Sequence, residues 1–457
     1  MGYAEVSVNS PAAQRRAFSY TVPPNLSVTI GQAVWVPFGN KLLQGIVLEL
    51  TEQPAVEETK EVAGIIEPRP LLSPDYVTLA LWLSHYYLSP LFEAVALMLP
   101  PGFERKALTF ISPGRVPDNF APASLTPEQR QVFDRLQKEG KISQKQLEKA
   151  LGKKKAQAVV SQLVNRGLAI RNYELEPIKT KPKVEYYLSL VSRLQPEAAT
   201  LVKKGAKKQA ALLDFLAQQS QPVPWTEVKQ KVGCDKAVVD ALAKKGLVTT
   251  QRLEVRRDPL SHQIITPSQP LRLVPAQESA LNSIKSSLLT AKTGAPPTVF
   301  LLHGVTGSGK TEIYLQALSE ALRLGKRGIV LVPEISLTPQ TIERFAARFP
   351  NRVAVLHSQL SLGEQYDEWQ RIRNGEFDVV IGARSAIFAP QPDLGLIIID
   401  EEHEWTYKQH EKSPHYHARD VAIKLAELTG AVVVLGSATP DVETFYHTQK
   451  GDYHLLQ

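Results

Sequence analysis

Eight consecutive residues of this chain, Gly304, Val305, Thr306, Gly307, Ser308, Gly309, Lys310 and Thr311, have the pattern G-x-x-x-x-G-K-T. A glycine-rich turn of this kind aims successive backbone N–H groups at one point, where they cradle phosphate oxygens. Lys310 is then placed to reach the outer phosphates of a nucleoside triphosphate, and the Thr311 hydroxyl to ligate Mg2+. A second, acidic motif, Asp400-Glu401, ends the apolar run "LGLIII" 90 residues after Lys310. In P-loop enzymes the aspartate at such a strand end holds the metal, and a carboxylate beside it polarises the attacking water while the lysine offsets charge growing on the γ-phosphate. Glu401, Asp400 and Lys310 are thus the expected catalytic groups, ATP and Mg2+ the expected cofactors, and Thr311 and Asp400 the expected metal ligands. An isolated carboxylate pair would read as a solvated turn; the phosphate loop upstream argues against that here.

These residues need a scaffold, and the surrounding sequence supplies one. After the proline-containing stretch "ITPSQPLRLVP", near-continuous apolar runs ("TVFLLHG", "GIVLVPE", "RVAVLHS", "FDVVIGA", "LGLIIIDEE", "AVVVLGSATP") alternate with helical periodicity. That pattern predicts a parallel sheet buried on both faces over 271–457, with the glycine-rich loop between a strand and a helix. Residues 1–105 open with β-branched and aromatic runs broken by Pro and Gly and end in the helix-like "DYVTLALWLSHYYL", which predicts a small β-rich domain closed by a helix. Between them a layout occurs twice, over 121–178 and 200–260. Each copy has an apolar-periodic helix, a short helix ending at glycine (Gly152, Gly233), a third helix, and then Arg166-Gly167-Leu168 or Lys245-Gly246-Leu247 leading into strand-like residues. This is the outline of a winged helix, whose third helix or wing commonly meets DNA, although such modules also bind proteins.

The bulk properties narrow the class. With 43% hydrophobic and 22% charged residues the composition is that of a folded globular protein. No apolar run reaches the roughly 18 residues of a membrane helix, and the N-terminus lacks the layout of a signal peptide, so no membrane partner and a cytoplasmic location are expected. A single cysteine, Cys234, rules out a disulfide or a multi-thiolate metal site within these residues. Residues 121–260 hold 27 Lys and Arg against 14 Asp and Glu, a balance of +13, while the whole chain is +7 and the remainder therefore −6. A basic block between two near-neutral ones suggests a polyanion surface, with a solvated helical face as the bland alternative.

"IIIDEEH", with His403, and "GSATP", with Ser437 and Thr439, resemble motifs II and III of superfamily 2 helicases. The stretches "LLHGVTGSGKTEIYL", "LVPEISLTPQ", "LHSQLSLGEQYDEW", "GARSAIFAPQPDLGLIIIDEEHEWTYKQ" and "YHARDVA" are similar to the primosomal N′ family of replication-restart helicases, closely over 271–445 and more loosely at "RAFSYTVP" and "AVWVPFGNKLLQGIVLEL". The resemblance implies that Gln277 reads adenine, an unremarkable linker amide being the alternative. It implies that His403, Ser437 and Thr439 couple nucleotide state to DNA, and that Trp405, Tyr407 and Tyr416 belong to an aromatic loop that senses single-stranded DNA. Aromatic faces stack on bases without reading sequence, although core packing is expected for at least one of the three. Two positions depart from the family: Ser19 stands between Phe18 and Tyr20 where an aspartate is common, and His415 where an arginine is expected. The family also has a second RecA-like lobe and a cysteine-rich zinc module, neither of which is expected within the 457 residues, so zinc has no ligands in this chain.

The expected fold class is α/β: a RecA-like P-loop lobe with a parallel sheet, preceded by the β-rich and tandem winged-helix-like domains. The expected function is that of an ATP-dependent 3′ to 5′ DNA helicase that recognises stalled or repaired replication forks and starts restart by primosome assembly, weak or inactive without a second motor lobe. Forked and single-stranded DNA, other primosome proteins and single-stranded DNA-binding protein are the partners the resemblance implies. A DNA-binding regulator or nucleotide switch, and a different superfamily 2 translocase, are the alternatives.

Overall fold

The computed structural model describes residues 2–39, 41–103, 107–115, 125–175, 184–191, 207–219, 221–254, 266–358 and 360–457. The domain limits expected at 105, 121, 178, 200 and 260 all fall outside these residues. Two compact bodies are present, one of residues 1–178 with 263–457 and the other of 179–262. No helix among the described residues is long and apolar enough to cross a membrane.

The first body begins with strands β1 (Gly2–Val8), β2 (Phe18–Val22), β3 (Ala33–Phe38), β4 (Lys41–Thr51), β5 (Lys60–Glu61) and β6 (Gly64–Ile65), in the spatial order β5-β2-β1-β4-β3-β6. Helices α1 (Pro74–Tyr86) and α2 (Leu91–Ala96) follow; Ser73 caps α1 by accepting the Tyr76 N–H, with Pro74 at the first helical position. The pair does not merely close the β sheet. Leu79, Leu83 and Phe92 share one buried cluster with Phe388, Tyr416, Val421 and Leu425 from far downstream. Tyr76 donates its hydroxyl to the Ala389 carbonyl, and Tyr87 donates to Asp420 Oδ2 at 2.9 Å while accepting the His417 N–H at 3.1 Å.

Next come β7 (Ala107–Pro113), α3 (Pro127–Glu139), β8 (Ile142–Ser143), α4 (Gln144–Leu151), α5 (Lys153–Asn165) and β9 (Ala169–Leu175). Capping boxes Thr126/Gln129 and Ser143/Gln146 start α3 and α4. The second body repeats this scheme with β10 (Val184–Leu190), α6 (Lys207–Ala217), β11 (Val223–Pro224), α7 (Trp225–Val232), α8 (Lys236–Lys244) and β12 (Val248–Glu254). In each, a strand upstream of the helices pairs antiparallel with the last strand, β7 with β9 and β10 with β12. Both upstream strands lie before the starts, 121 and 200, expected from sequence. The helical period that marks each repeat begins only after them, and strand pairing over some sixty residues leaves no local periodicity to read. Cys234 is buried in the apolar core of the second body.

The remainder of the first body is a βα array: α9 (Pro275–Thr290), β13 (Val299–His303), α10 (Lys310–Arg323), β14 (Arg327–Leu331), α11 (Pro339–Arg348), β15 (Val353–Leu356), α12 (Leu362–Arg373), β16 (Val379–Gly382), β17 (Leu394–Asp400), α13 (Ala418–Thr429), β18 (Val432–Ser437), α14 (Val442–Lys450) and β19 (His454–Leu456). Its strands form a parallel sheet in the order β15-β16-β14-β17-β18-β13-β19. Their near-uniform burial explains the unbroken apolar runs. The adjacent carboxyl ends of β17, β18 and β13 gather the acidic box, the Ser-Ala-Thr segment and the phosphate loop at one edge. Such edges are where open α/β sheets bind ligands.

Candidate nucleotide site and its coupling to an aromatic loop

The phosphate loop spans Gly304 to Gly309 and feeds α10. Val305, Thr306 and Gly307 are exposed, so the mouth is open, whereas Lys310 is buried. The Lys310 ammonium folds back on its own loop and donates to the Gly304 carbonyl at 2.6 Å. Gly309 has φ +86, and a Cβ there would stand 2.5 Å from Gln277 Nε2, so glycine is required both by the turn and by that close approach. Gln277 braces the loop. Its Nε2 donates to the Ser308 carbonyl at 2.7 Å and its Oε1 accepts the Val274 N–H at 3.0 Å. One amide hydrogen and one oxygen lone pair remain, the complement of the N7 and N6–H edge of adenine.

Asp400 ends β17 opposite Gly436 of β18. Its Oδ1 accepts the Tyr314 hydroxyl at 3.0 Å, and its carbonyl accepts the Tyr407 hydroxyl at 2.7 Å. Burial pushes the Asp400 carboxyl above its ordinary value; the Tyr314 hydrogen bond opposes this, the neighbouring Glu401 charge adds to it, and Lys310 opposes it. Glu401 adopts φ +47, a left-handed backbone for a non-glycine residue that costs about 1–2 kcal/mol. The turn is held by the Glu402 N–H donating to the Gly436 carbonyl at 3.0 Å. The carboxylate of Asp400 and the hydroxyl of Thr311 are hard oxygen donors, and the N–H groups of the glycine loop form an anion cradle, a set that suits Mg2+ with a nucleotide.

The acidic box and the Ser-Ala-Thr segment are joined directly. His403 Nδ1 lies 2.7 Å from Ser437 Oγ and Nε2 lies 3.4 Å from Thr439 Oγ1. Because Ser437 Oγ already accepts the Thr439 N–H at 3.0 Å, its own proton is free for the imidazole. Glu402, buried, accepts the Asp441 N–H and the Thr444 hydroxyl, both at 2.8 Å, and so fixes the start of α14. Arg419 closes the same network by donating to Thr444 Oγ1 at 2.8 Å and to Glu443 at 2.9 Å.

The three loop aromatics divide. Trp405 is 72% exposed, but Tyr407 and Tyr416 are core residues. Tyr416 packs edge-on against Phe388, with ring centres 5.0 Å apart. Core packing, expected for at least one of the three, takes two of them here: a ring surrounded by protein has no face left for a base, and Trp405 alone of the three offers one. Arg384 pins the loop by donating to the carbonyls of Thr406 (3.0 Å) and Lys408 (2.8 Å), beside a cavity of about 540 Å3 lined by Trp369, Phe388, Trp405 and Gln409. His415 is exposed, with Nδ1 3.3 Å from the Gln409 carbonyl. Ser19, buried in the β domain, donates to the Glu5 carboxylate and accepts the Ala55 N–H at 3.0 Å. Sequence reasoning missed Tyr314, Glu402, Arg419 and the close approach at Gly436. The one available signal was that Tyr314 follows Lys310 by four residues and so shares its helix face.

Two family models match, the PriA 3′DNA-binding domain over residues 5–100 and the DEAD/DEAH box helicase over 274–447. The replication restart protein PriA of Bacillus subtilis (strain 168) is 39% identical over 465 residues, covering all of this chain and 55% of that protein. This chain belongs to the PriA replication-restart family. PriA of Synechocystis sp. PCC 6803 is 37% identical, covering all of this chain and 54% of that protein. The chain thus spans about half the length of the curated PriA relatives it matches. A solved structure of RecG bound to a three-way DNA junction aligns with a TM-score of 0.31 and 27% identity, over 41% of this chain and 24% of that one. The DEAD/DEAH match makes residues 274–447 a helicase domain, a class that uses ATP and Mg2+.

Proposed function

We propose that the chain is the ATP-binding part of a 3′ to 5′ DNA helicase that recognises stalled or repaired replication forks and starts restart by primosome assembly. The observation that carries this reading is the double attachment of the acidic box. Asp400 is tied to the phosphate-loop helix through Tyr314, while His403 is tied to Ser437 and Thr439 and Tyr407 links the same turn to the loop bearing Trp405. Nucleotide state and a DNA-facing aromatic are therefore connected through a few hydrogen bonds.

The N–H groups of Gly304 to Thr311 hold the phosphates, and Lys310 leaves the Gly304 carbonyl for the outer phosphates. Thr311 and Asp400 would hold Mg2+, which when bound supplies charge neutralisation at the β- and γ-oxygens. Glu401 orients and polarises the attacking water, and Gln277 reads adenine. Trp405 stacks on single-stranded DNA, and the basic winged helices and the β domain bind the fork. Other primosome proteins and single-stranded DNA-binding protein are the proposed partners, the cytoplasm the proposed location, and zinc, if present, a cofactor of parts outside these 457 residues. An arginine finger contributed from outside them would be worth about 10³–10⁵ in rate, so the 457-residue polypeptide alone is expected to hydrolyse ATP slowly and not to unwind DNA.

Lys310→Ala tests the reading: hydrolysis and ATP binding are lost while forked-DNA affinity stays within about twofold. Joint loss of both in a folded variant would refute the separation of the two sites.

A further inference from the structure

We propose that Arg348 and Glu312 are a positioning pair that sets the base preference of the nucleotide site by clamping the backbone strap Ser268–Val274 that leads into Gln277. Neither residue belongs to the phosphate loop or the acidic box, and the inference rests on the nucleotide-site reading above.

The pair is built for this task. Glu312 lies in the first turn of α10 and Arg348 is the last residue of α11. Their side chains are 10% and 6% exposed, and they meet through two bonds, Nη2 to Oε2 at 2.9 Å and Nη1 to Oε1 at 3.1 Å. Two charges withdrawn from water are tolerated only when their remaining hydrogen-bonding capacity is used. Here it is spent on the strap. Glu312 Oε1 accepts the Leu271 N–H at 3.1 Å, and Arg348 donates from Nη2 to the Gln269 carbonyl at 3.2 Å and from Nε to Ser268 Oγ at 3.4 Å. Gln316, itself bonded to Glu312 at 2.8 Å, donates to the Leu271 carbonyl at 2.9 Å, and the Ser268 N–H donates to the Ala347 carbonyl at 2.9 Å. Burial would raise the Glu312 carboxyl, yet the bonds from Arg348, Gln316 and Leu271 hold it below its ordinary value. It is anionic at neutral pH.

Beyond the clamp the strap passes to Val274, whose N–H fixes Gln277 Oε1, and Gln277 in turn touches the Ser308 carbonyl. The free hydrogen and lone pair of Gln277 point where they do only while the strap is held. The phosphate-holding groups, Gly304 to Thr311, make no hydrogen bond to the strap other than through Gln277 among the described residues. Loosening the clamp should therefore degrade base reading and spare phosphate binding, a split that general destabilisation of the lobe would not produce.

The test is equilibrium binding of two non-hydrolysable triphosphates, the adenosine and uridine β,γ-imido analogues, to the 457-residue chain, with no turnover required. The wild-type chain is expected to prefer the adenosine analogue by about 5- to 150-fold, the range of a bidentate amide contact to adenine. Lys310→Ala should weaken both analogues alike. Arg348→Met should bring the preference below about threefold with uridine-analogue affinity unchanged, and Arg348→Lys, which keeps the charge but not the fork, should fall between. Should the stranded Glu312 charge unfold Arg348→Met, the charge-free double variant Glu312→Leu/Arg348→Met and the half-buried Gln316→Leu carry the same expectation. Failure of Lys310→Ala to weaken either analogue would overturn the nucleotide-site reading itself. If Lys310→Ala behaves as expected but the wild-type chain shows no base preference, or the clamp variants retain it, the clamp inference alone is overturned.

Discussion

Replacing Gly436 by alanine should damage the nucleotide site without removing a single polar group. A Cβ at this position would stand 1.6 Å from the Tyr314 hydroxyl and 2.8 Å from its ring carbon Cζ, where real contacts begin near 3.0 Å. Tyr314 is completely enclosed and cannot swing away. Either β18 or α10 must therefore yield by at least 1.4 Å, the difference between 3.0 and 1.6. Overpacking of this kind costs about 1–3 kcal/mol, or about 2–12 °C in melting temperature for a lobe of this size. The larger effect is on geometry. Tyr314 holds Asp400 Oδ1 and shares α10 with Lys310, and a displacement of about 1 Å in a reacting group can cost about 10²-fold in rate. Thermal melting, ATP affinity and DNA-stimulated phosphate release would be compared for Gly436→Ala, Tyr314→Phe and the double variant. Removing the hydroxyl leaves Cζ at 2.8 Å, so the residual shift is only 0.2 Å and the double variant should recover most of the stability lost by Gly436→Ala, a clear departure from additivity. A Gly436→Ala chain that melts within 1 °C of wild type, or a double variant no better than the single one, would refute the reasoning.

Trp405→Ala should weaken single-stranded DNA binding by about 1–3 kcal/mol with no change in melting temperature, since the ring is 72% exposed; fluorescence anisotropy with an unstructured oligonucleotide decides this. Asp400→Asn should abolish Mg2+-dependent nucleotide binding yet raise the melting temperature at pH 7–8. Its folded-state carboxyl lies above the usual value, so the folded chain binds more protons than the unfolded one in the window above about 3.8, and stability is lost as pH rises through it. The asparagine variant should lack that slope in a pH series of melts. Removing 121–260, which carries the +13 balance, should flatten the salt dependence of forked-DNA binding, each lost phosphate contact changing the log-log slope by about 0.9; an unchanged slope would remove this segment from the DNA surface.

Much of the motor lobe was legible because its signals are local. The phosphate loop sits between β13 and α10, the carboxylates end β17, and the apolar runs are the buried strands, each recognisable within a dozen residues. The helix-like stretch from Asp75 to Leu88 is likewise a helix as far as Tyr86. What could not be read was which surface each element would meet. Periodicity marks an apolar face on α1 but not that the face belongs to the core shared with α13. Tyr407 and Tyr416 look the same in sequence as a stacking residue, because an aromatic side chain serves either use and only packing distinguishes them. Tyr314 and Gly436 are separated by 122 positions, and their close approach exists only once β18 and α10 lie side by side.

The shared core of α1 and α13 also bears on how the chain is made. Tyr87 leaves the ribosome about 330 residues before Asp420, to which it hydrogen-bonds, and at about 5–20 residues per second that interval lasts tens of seconds. Throughout it the part of α1 and α2 that meets α13 has no lasting partner, while the two three-helix repeats, whose contacts are local, can form in between. The helix pair is thus an early-made surface finished last, and a natural client for a chaperone during synthesis. A nascent chain released just after residue 262 should bind such holdases, and one released after β18 should not.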